Sequence, residues 1–130
     1  MSWMRRFFSE KPADDVPAWL RDATVRTLTQ EDLAQQATVL RDQGDLDGAL
    51  ALYRKQESLC RKRPLNVQGL AYSLANQATL LAFGKKQPQE GLPLAMEALR
   101  LAKDYHRIEM LDEFQEVIQD IQDAIETDVR

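Results

Sequence analysis

The sequence predicts an all-α protein of antiparallel helical hairpins, stacked as a short α-solenoid and closed by a C-terminal capping helix. Three observations predict it. Leu33-Ala34-Gln35-Gln36-Ala37-Thr38-Val39-Leu40 returns 41 positions later as Leu74-Ala75-Asn76-Gln77-Ala78-Thr79-Leu80-Leu81, with six of eight residues identical; a fixed period in the forties marks stacked repeats. Apolar residues recur at helical spacing, and no segment alternates convincingly with period two. Breakers at Gly44-Asp45, Pro64 and Gly84-Lys85-Lys86 leave short connections, which set neighbouring helices antiparallel.

The 130 residues have the size of one domain. Residues 1–28 read as an N-terminal extension: an amphipathic segment, a linker and a short helix. Ser2 to Phe8, taken as two helical turns, sets Trp3, Met4, Phe7 and Phe8 on one side and Arg5 and Arg6 on the other. Three readings stand for it: weak contact with a membrane surface, docking on the repeat domain or a second copy, or no fixed structure. Ser9 to Pro17, with two prolines and a charge cluster, is a linker. Ala18 to Leu28 forms a short helix with Trp19, Leu20, Ala23 and Thr27 at helical spacing.

Residues 29–130 form the repeat domain. Thr29 with Asp32 three positions on is a helix-start signature, so a helix runs over about 30–43 until Gly44-Asp45. A second covers about 46–63, with Ala49, Leu50, Tyr53, Leu59 and Cys60 as its apolar side, and Pro64 stops it. A third spans about 66–83, and a fourth runs from Pro88 or Gln89 to Asp104. The last covers about 106–127. The two repeats are thus about 30–63 and 66–104.

Composition narrows the function. Hydrophobic content of 44% and charged content of 29% describe an ordinary soluble, helix-rich chain. The net charge of −4 hides a gradient, because residues 104–130 carry −7 and the remainder +3. That acidic end argues against nucleic-acid binding, which calls for a basic face. No apolar run is long enough for a membrane span or a secretory signal. The single Cys60 excludes an intramolecular disulfide and suits a reducing cytosol. A cytoplasmic protein is expected, with the inner membrane face as an alternative site through residues 2–8. Arg61-Lys62-Arg63, with Arg54 and Lys55 upstream, complements a helix C-terminus, an acidic partner or anionic lipid being the alternative. His106 is the only histidine and has no ligand at metal spacing. No nucleophile–base pair, phosphate loop or catalytic carboxylate pair is identifiable. The expectation is a non-enzyme with no metal or cofactor.

Beyond the octapeptide, Gly48-Ala49-Leu50-Ala51-Leu52 matches Glu90-Gly91-Leu92-Pro93-Leu94 at an offset of 42, one residue more than before. Small residues at Ala37, Ala78, Ala49 and Gly91 suit close helix approach. With Gly44-Asp45-Leu46 at the turn and Tyr53 one turn after Ala49, the pattern resembles the tetratricopeptide repeat (TPR), particularly the longer repeats of kinesin light chains and bacterial adaptors. Gly91-Leu92-Pro93-Leu94 is similar to their Ala-Glu-Pro-Leu. The chain departs from the family at Gln36 and Gln77, where Leu is usual, at Gly84-Lys85-Lys86 in the second turn, and at Gln56-Glu57 in place of an Ala–Leu pair.

The resemblance implies a concave groove lined by the first helix of each hairpin and holding a peptide or protein partner. Glu31, Gln35, Thr38 and Asp42 share the face opposite Leu33, Ala37 and Leu40, and Tyr72, Asn76, Thr79 and Phe83 are their counterparts. Gln35 and Asn76 stand where related repeats place an amide that bonds ligand backbone; the alternative is that these polar residues are solvated or bond the next helix. In the last helix Leu111, Phe114, Ile118, Ile121 and Ile125 follow 3-4 spacing, for capping, self-association or both. The expected function is a non-catalytic adaptor or scaffold. A peripheral membrane adaptor anchored by residues 2–8 and a homo-oligomeric element joined by the last helix are the alternatives.

Overall fold

A computed structural model of the chain describes residues 29–129. The readings of residues 1–28, including Trp3, Met4, Arg5, Arg6, Phe7 and Phe8, lie outside the described residues. The described part is all-helical: α1 Gln30–Asp42, α2 Leu46–Arg61, α3 Val67–Thr79 continued by a π-helical turn Leu80–Gly84, α4 Pro88–Asp104 and α5 Ile108–Val129.

Each helix starts and stops for a local reason. Thr29 and Asp32 form a reciprocal capping box: the Asp32 N–H donates to Thr29 Oγ1 at 3.2 Å, and the Thr29 N–H donates to Asp32 Oδ2 at 3.0 Å. Asp45 and Asn66 cap α2 and α3 by accepting the N–H groups of Gly48 and Gly69, both at 2.9 Å. Pro88 opens α4 at a position where no N–H is needed. α1 ends with Gly44 at φ 85°, its N–H on the Arg41 carbonyl and the Asp45 N–H on the Leu40 carbonyl. α4 ends the same way on a residue that is not glycine. His106, at φ 55°, donates its N–H to Lys103, and Arg107 donates to Ala102.

The offset change from 41 to 42 has a definite place. The left-handed residue follows Ala37 by seven positions, at Gly44, but follows Ala78 by eight, at Lys86. The extra residue therefore lies in the helix, as the wide turn Leu80–Gly84, and not in the connection after it.

Antiparallel pairing is visible at both ends of α1 and α2. Gln30 at the start of α1 bonds Gln56 and Cys60 near the end of α2, while Leu40 and Asp45 close the opposite end. α3 and α4 approach so closely that a Cβ on Gly91 would stand 2.5 Å from the Ala78 carbonyl oxygen. Alanine makes this approach possible throughout, with Ala37, Ala49, Ala78, Ala98 and Ala102 fully enclosed.

Two apolar clusters form the core. One joins Leu50, Tyr53, Leu80, Leu81, Val117 and Ile121; the other joins Cys60, Leu70, Leu74, Met110 and Phe114. Polar links bridge α2 to its neighbours. Gln77, buried, donates to Glu57 at 2.8 Å, and Arg61 binds both Glu57 at 2.9 Å and Glu97 at 2.7 Å. Gln77 and Glu57 are thus partnered polar groups between helices, as is the Nε2 of Gln56, and Arg61 is tied into the network of Gln77 and Glu57.

Of the α5 seam, Phe114 and Ile121 are buried in the core, and Leu111, Ile118 and Ile125 pack at its edge. That seam packs α5 against α4.

Candidate partner-binding groove

A groove runs along α1 and α3, floored at one end by α5. It has two lobes. The first, about 410 Å³, is lined by Thr38, Arg41, Tyr53, Tyr72, Ala75, Asn76, Thr79, Glu113, Phe114 and Val117. The second, about 400 Å³, is lined by Gln30, Glu31, Ala34, Gln35, Gln56, Asn66, Gln68, Gly69, Tyr72 and Asn76. Tyr72 and Asn76 line both, so the two lobes adjoin at these residues, which form the waist of the groove.

The first lobe has an apolar floor and a polar rim. The Tyr72 and Phe114 rings meet edge to face, with centroids 5.7 Å apart and planes at 78°. On the rim, Thr38 Oγ1 donates to the Ala34 carbonyl at 3.0 Å. Its one proton is thereby engaged, so the Tyr53 hydroxyl, 3.2 Å away, donates to it. Burial pushes the Tyr53 phenol above its ordinary pKa, against an opposing pull from the Thr38 bond, and keeps it a donor. Arg41 is buried and holds the Asp42 carboxylate at 3.3 Å. Thr79 is also buried, its hydroxyl on the Ala75 carbonyl at 2.8 Å.

The second lobe is a wall of carboxamides. Gln56 donates to Gln30 at 3.0 Å and Asn66 caps α3, so these three are engaged. The Gln56 Oε1 is buried and accepts no hydrogen bond. Gln35, Gln68 and Asn76 make no side-chain hydrogen bond among the described residues and face the concavity. Free amides offer both donor and acceptor, the pair of functions that an extended peptide backbone presents.

Six of the eight groove residues expected from sequence line these lobes: Glu31, Gln35, Thr38, Tyr72, Asn76 and Thr79. Asp42 and Phe83 do not. Asp42 sits at the end of α1 against Arg41. Phe83 lies within the π turn, which rotates it off the face of Asn76 and Thr79; it lines a separate depression with Lys86, Pro88, Ala124 and Thr127. Arg41, Tyr53, Glu113, Phe114 and Val117 in the first lobe, and Gln30, Gln56 and Gln68 in the second, are among the wall residues not expected from sequence.

Among the described residues no helix is long and apolar enough to cross a membrane, and no cluster of His, Cys, Asp and Glu could hold a metal ion. Comparison with protein-family models, with curated proteins and with solved structures finds no match.

Proposed function

We propose that this chain is a non-catalytic protein–protein interaction module, a two-hairpin solenoid of the tetratricopeptide kind, that holds an extended peptide segment of a partner in the α1–α3 groove. The observation that carries this reading is that the two lobes adjoin end to end along α1 and α3, with Tyr72 and Asn76 lining both. Each lobe falls within the size range of ligand sites. Free amides at Gln35, Gln68 and Asn76 serve the ligand backbone, and the Ala75, Phe114 and Val117 floor takes an apolar side chain. Among the described residues the acidic and basic groups on the walls are Glu31, Glu113 and Arg41, so the preferred segment carries little net charge.

Selection from a random peptide display library with the full chain tests this. Enriched peptides are expected to lose at least tenfold in affinity for the Gln35→Ala/Asn76→Ala chain and to shift the amide resonances of Gln35, Thr38, Tyr72 and Asn76. Equal affinity for both chains, or no enrichment, would remove the groove from consideration.

A further inference from the structure

The outer flank of α5 carries a second pattern, which shares Leu111, Ile118 and Ile125 with the edge of the core. Met110, Phe114, Val117 and Ile121 face the core, and Glu113 faces the groove. Turned away from Glu113 is a stripe without charge: Ile108, Leu111, Gln115, Ile118, Gln122 and Ile125, spaced 3, 4, 3, 4 and 3. α4 contributes Leu92, Met96 and Leu99 beside it. Ile118 shares a depression of about 310 Å³ with Met96 and Leu99, and Ile125 shares one of about 370 Å³ with Leu92. The stripe is partly open: Ile108, Gln115 and Gln122 are exposed, Leu111, Ile118 and Ile125 are half-buried, and Met96 beside them is 54% exposed.

Its order is the informative part. From Leu111 to Ile125 it reads apolar, amide, apolar, amide, apolar, the same in both directions about Ile118. We propose that this stripe pairs antiparallel with its copy on a second molecule, making a two-fold homodimer centred near Ile118. In that arrangement Gln115 meets Gln122 of the partner copy, amide on amide, and apolar positions meet apolar ones; a two-fold interface must be self-complementary in this way. The charges agree. Arg100 and Lys103, on the α4 rim, make no ion pair among the described residues. Antiparallel packing brings the C-terminal half of the second α5, with Asp123 and Glu126, alongside them. The stripe over Ile108–Ile125 and its α4 border over Leu92–Lys103 are about 27 and 18 Å long; at about 10 Å width each they offer roughly 450 Å² per molecule. That is the size of a weak, reversible interface, below the roughly 800 Å² per partner of a standard one.

Sedimentation velocity on the full chain from 1 to 100 µM is expected to show a species of twice the 14.9 kDa chain mass. Ile118→Glu and, separately, the exposed-site variant Met96→Glu each weaken it at least tenfold with unchanged helical circular dichroism. Arg100→Glu/Lys103→Glu also weakens it, and adding Asp123→Lys/Glu126→Lys to the same chain restores it. A cysteine at Ile118, on the axis, cross-links to its own copy under mild oxidation. One at Gln122 does so only with a chain carrying Gln115→Cys. A full chain monomeric at 100 µM, with residues 1–28 or nothing on this face, would overturn the proposal. So would a dimer indifferent to Met96→Glu, or equal self-cross-linking at Ile118→Cys and Gln122→Cys, which signals parallel pairing.

Discussion

The Tyr72 ring stands edge-on to Phe114, 5.7 Å between centroids, and ties the waist of the groove to α5. One contact therefore serves both the core and the candidate site. Aromatic pairs of this geometry couple by about 0.5–1.5 kcal/mol beyond the area they bury. A double-mutant cycle with Tyr72→Leu and Phe114→Leu, read by urea unfolding, should return a coupling of that size. A coupling indistinguishable from zero would leave the two rings energetically independent.

Gly91 should tolerate no side chain. Alanine is the better helix former by about 1 kcal/mol, yet its Cβ would meet the Ala78 carbonyl, a backbone atom that cannot turn aside. Overpacking of this kind costs about 1–3 kcal/mol. Gly91→Ala is expected to lower the urea midpoint. Gly84→Ala, where the nearest atom is a flexible Leu46 methyl at 3.1 Å, should cost less.

His106 occupies a left-handed position that glycine prefers. His106→Gly should stabilise the fold by about 0.5–1 kcal/mol, because the strain removed exceeds the chain entropy added. Gly44→Ala, at the equivalent place after α1, should destabilise by about 1 kcal/mol. Thermal melts of both variants, moving in opposite directions, check the assignment; a parallel shift would contradict it.

Alkaline pH should unfold the protein early. Burial raises the pKa values of both the Cys60 thiol and the Tyr53 phenol. Above about pH 8.5 for a thiol and about 10 for a phenol the unfolded chain loses these protons. The folded chain keeps them to higher pH, so unfolding gains free energy as pH rises. Stability from these groups is complete at neutrality and is lost through the raised folded-state values. Melting temperatures from pH 7 to 11 should fall in two stages. Cys60→Ala should flatten the first stage and Tyr53→Phe the second.

Helix boundaries were largely legible in the sequence because they depend on residues within one turn of each end. Thr29 with Asp32, Gly44, Pro64 and Pro88 act where they stand. The wall of the groove was legible where a single helix supplies it, at Gln35 with Thr38 and at Tyr72 with Asn76 and Thr79. It was not legible where helices distant in sequence converge. Nothing near Glu113, Phe114 or Val117 says that α5 crosses the end of the groove, and Tyr53 looks like core because its ring is core and only its hydroxyl reaches the rim. The extra residue between Ala78 and Gly91 could be counted but not located, since Gly84-Lys85-Lys86 has the composition of an ordinary turn. Gln56 and Glu57 depart from the family's Ala–Leu pair, and their partners Gln30, Gln77 and Arg61 come from positions that local sequence does not connect to them.

The wide turn at Leu80–Gly84 also acts as a ruler. One added residue swings the side chains beyond it by about 100°, so the row Tyr72, Asn76, Thr79 stops there and Phe83 looks toward the far end of α5. The open length of α3, from Gln68 to Thr79, is then about 17 Å at 1.5 Å per residue. An extended strand covers that distance in about five residues. On the function proposed above, a peptide seated along α3 would be read over about five positions, and its remaining residues would pass over the edge unread.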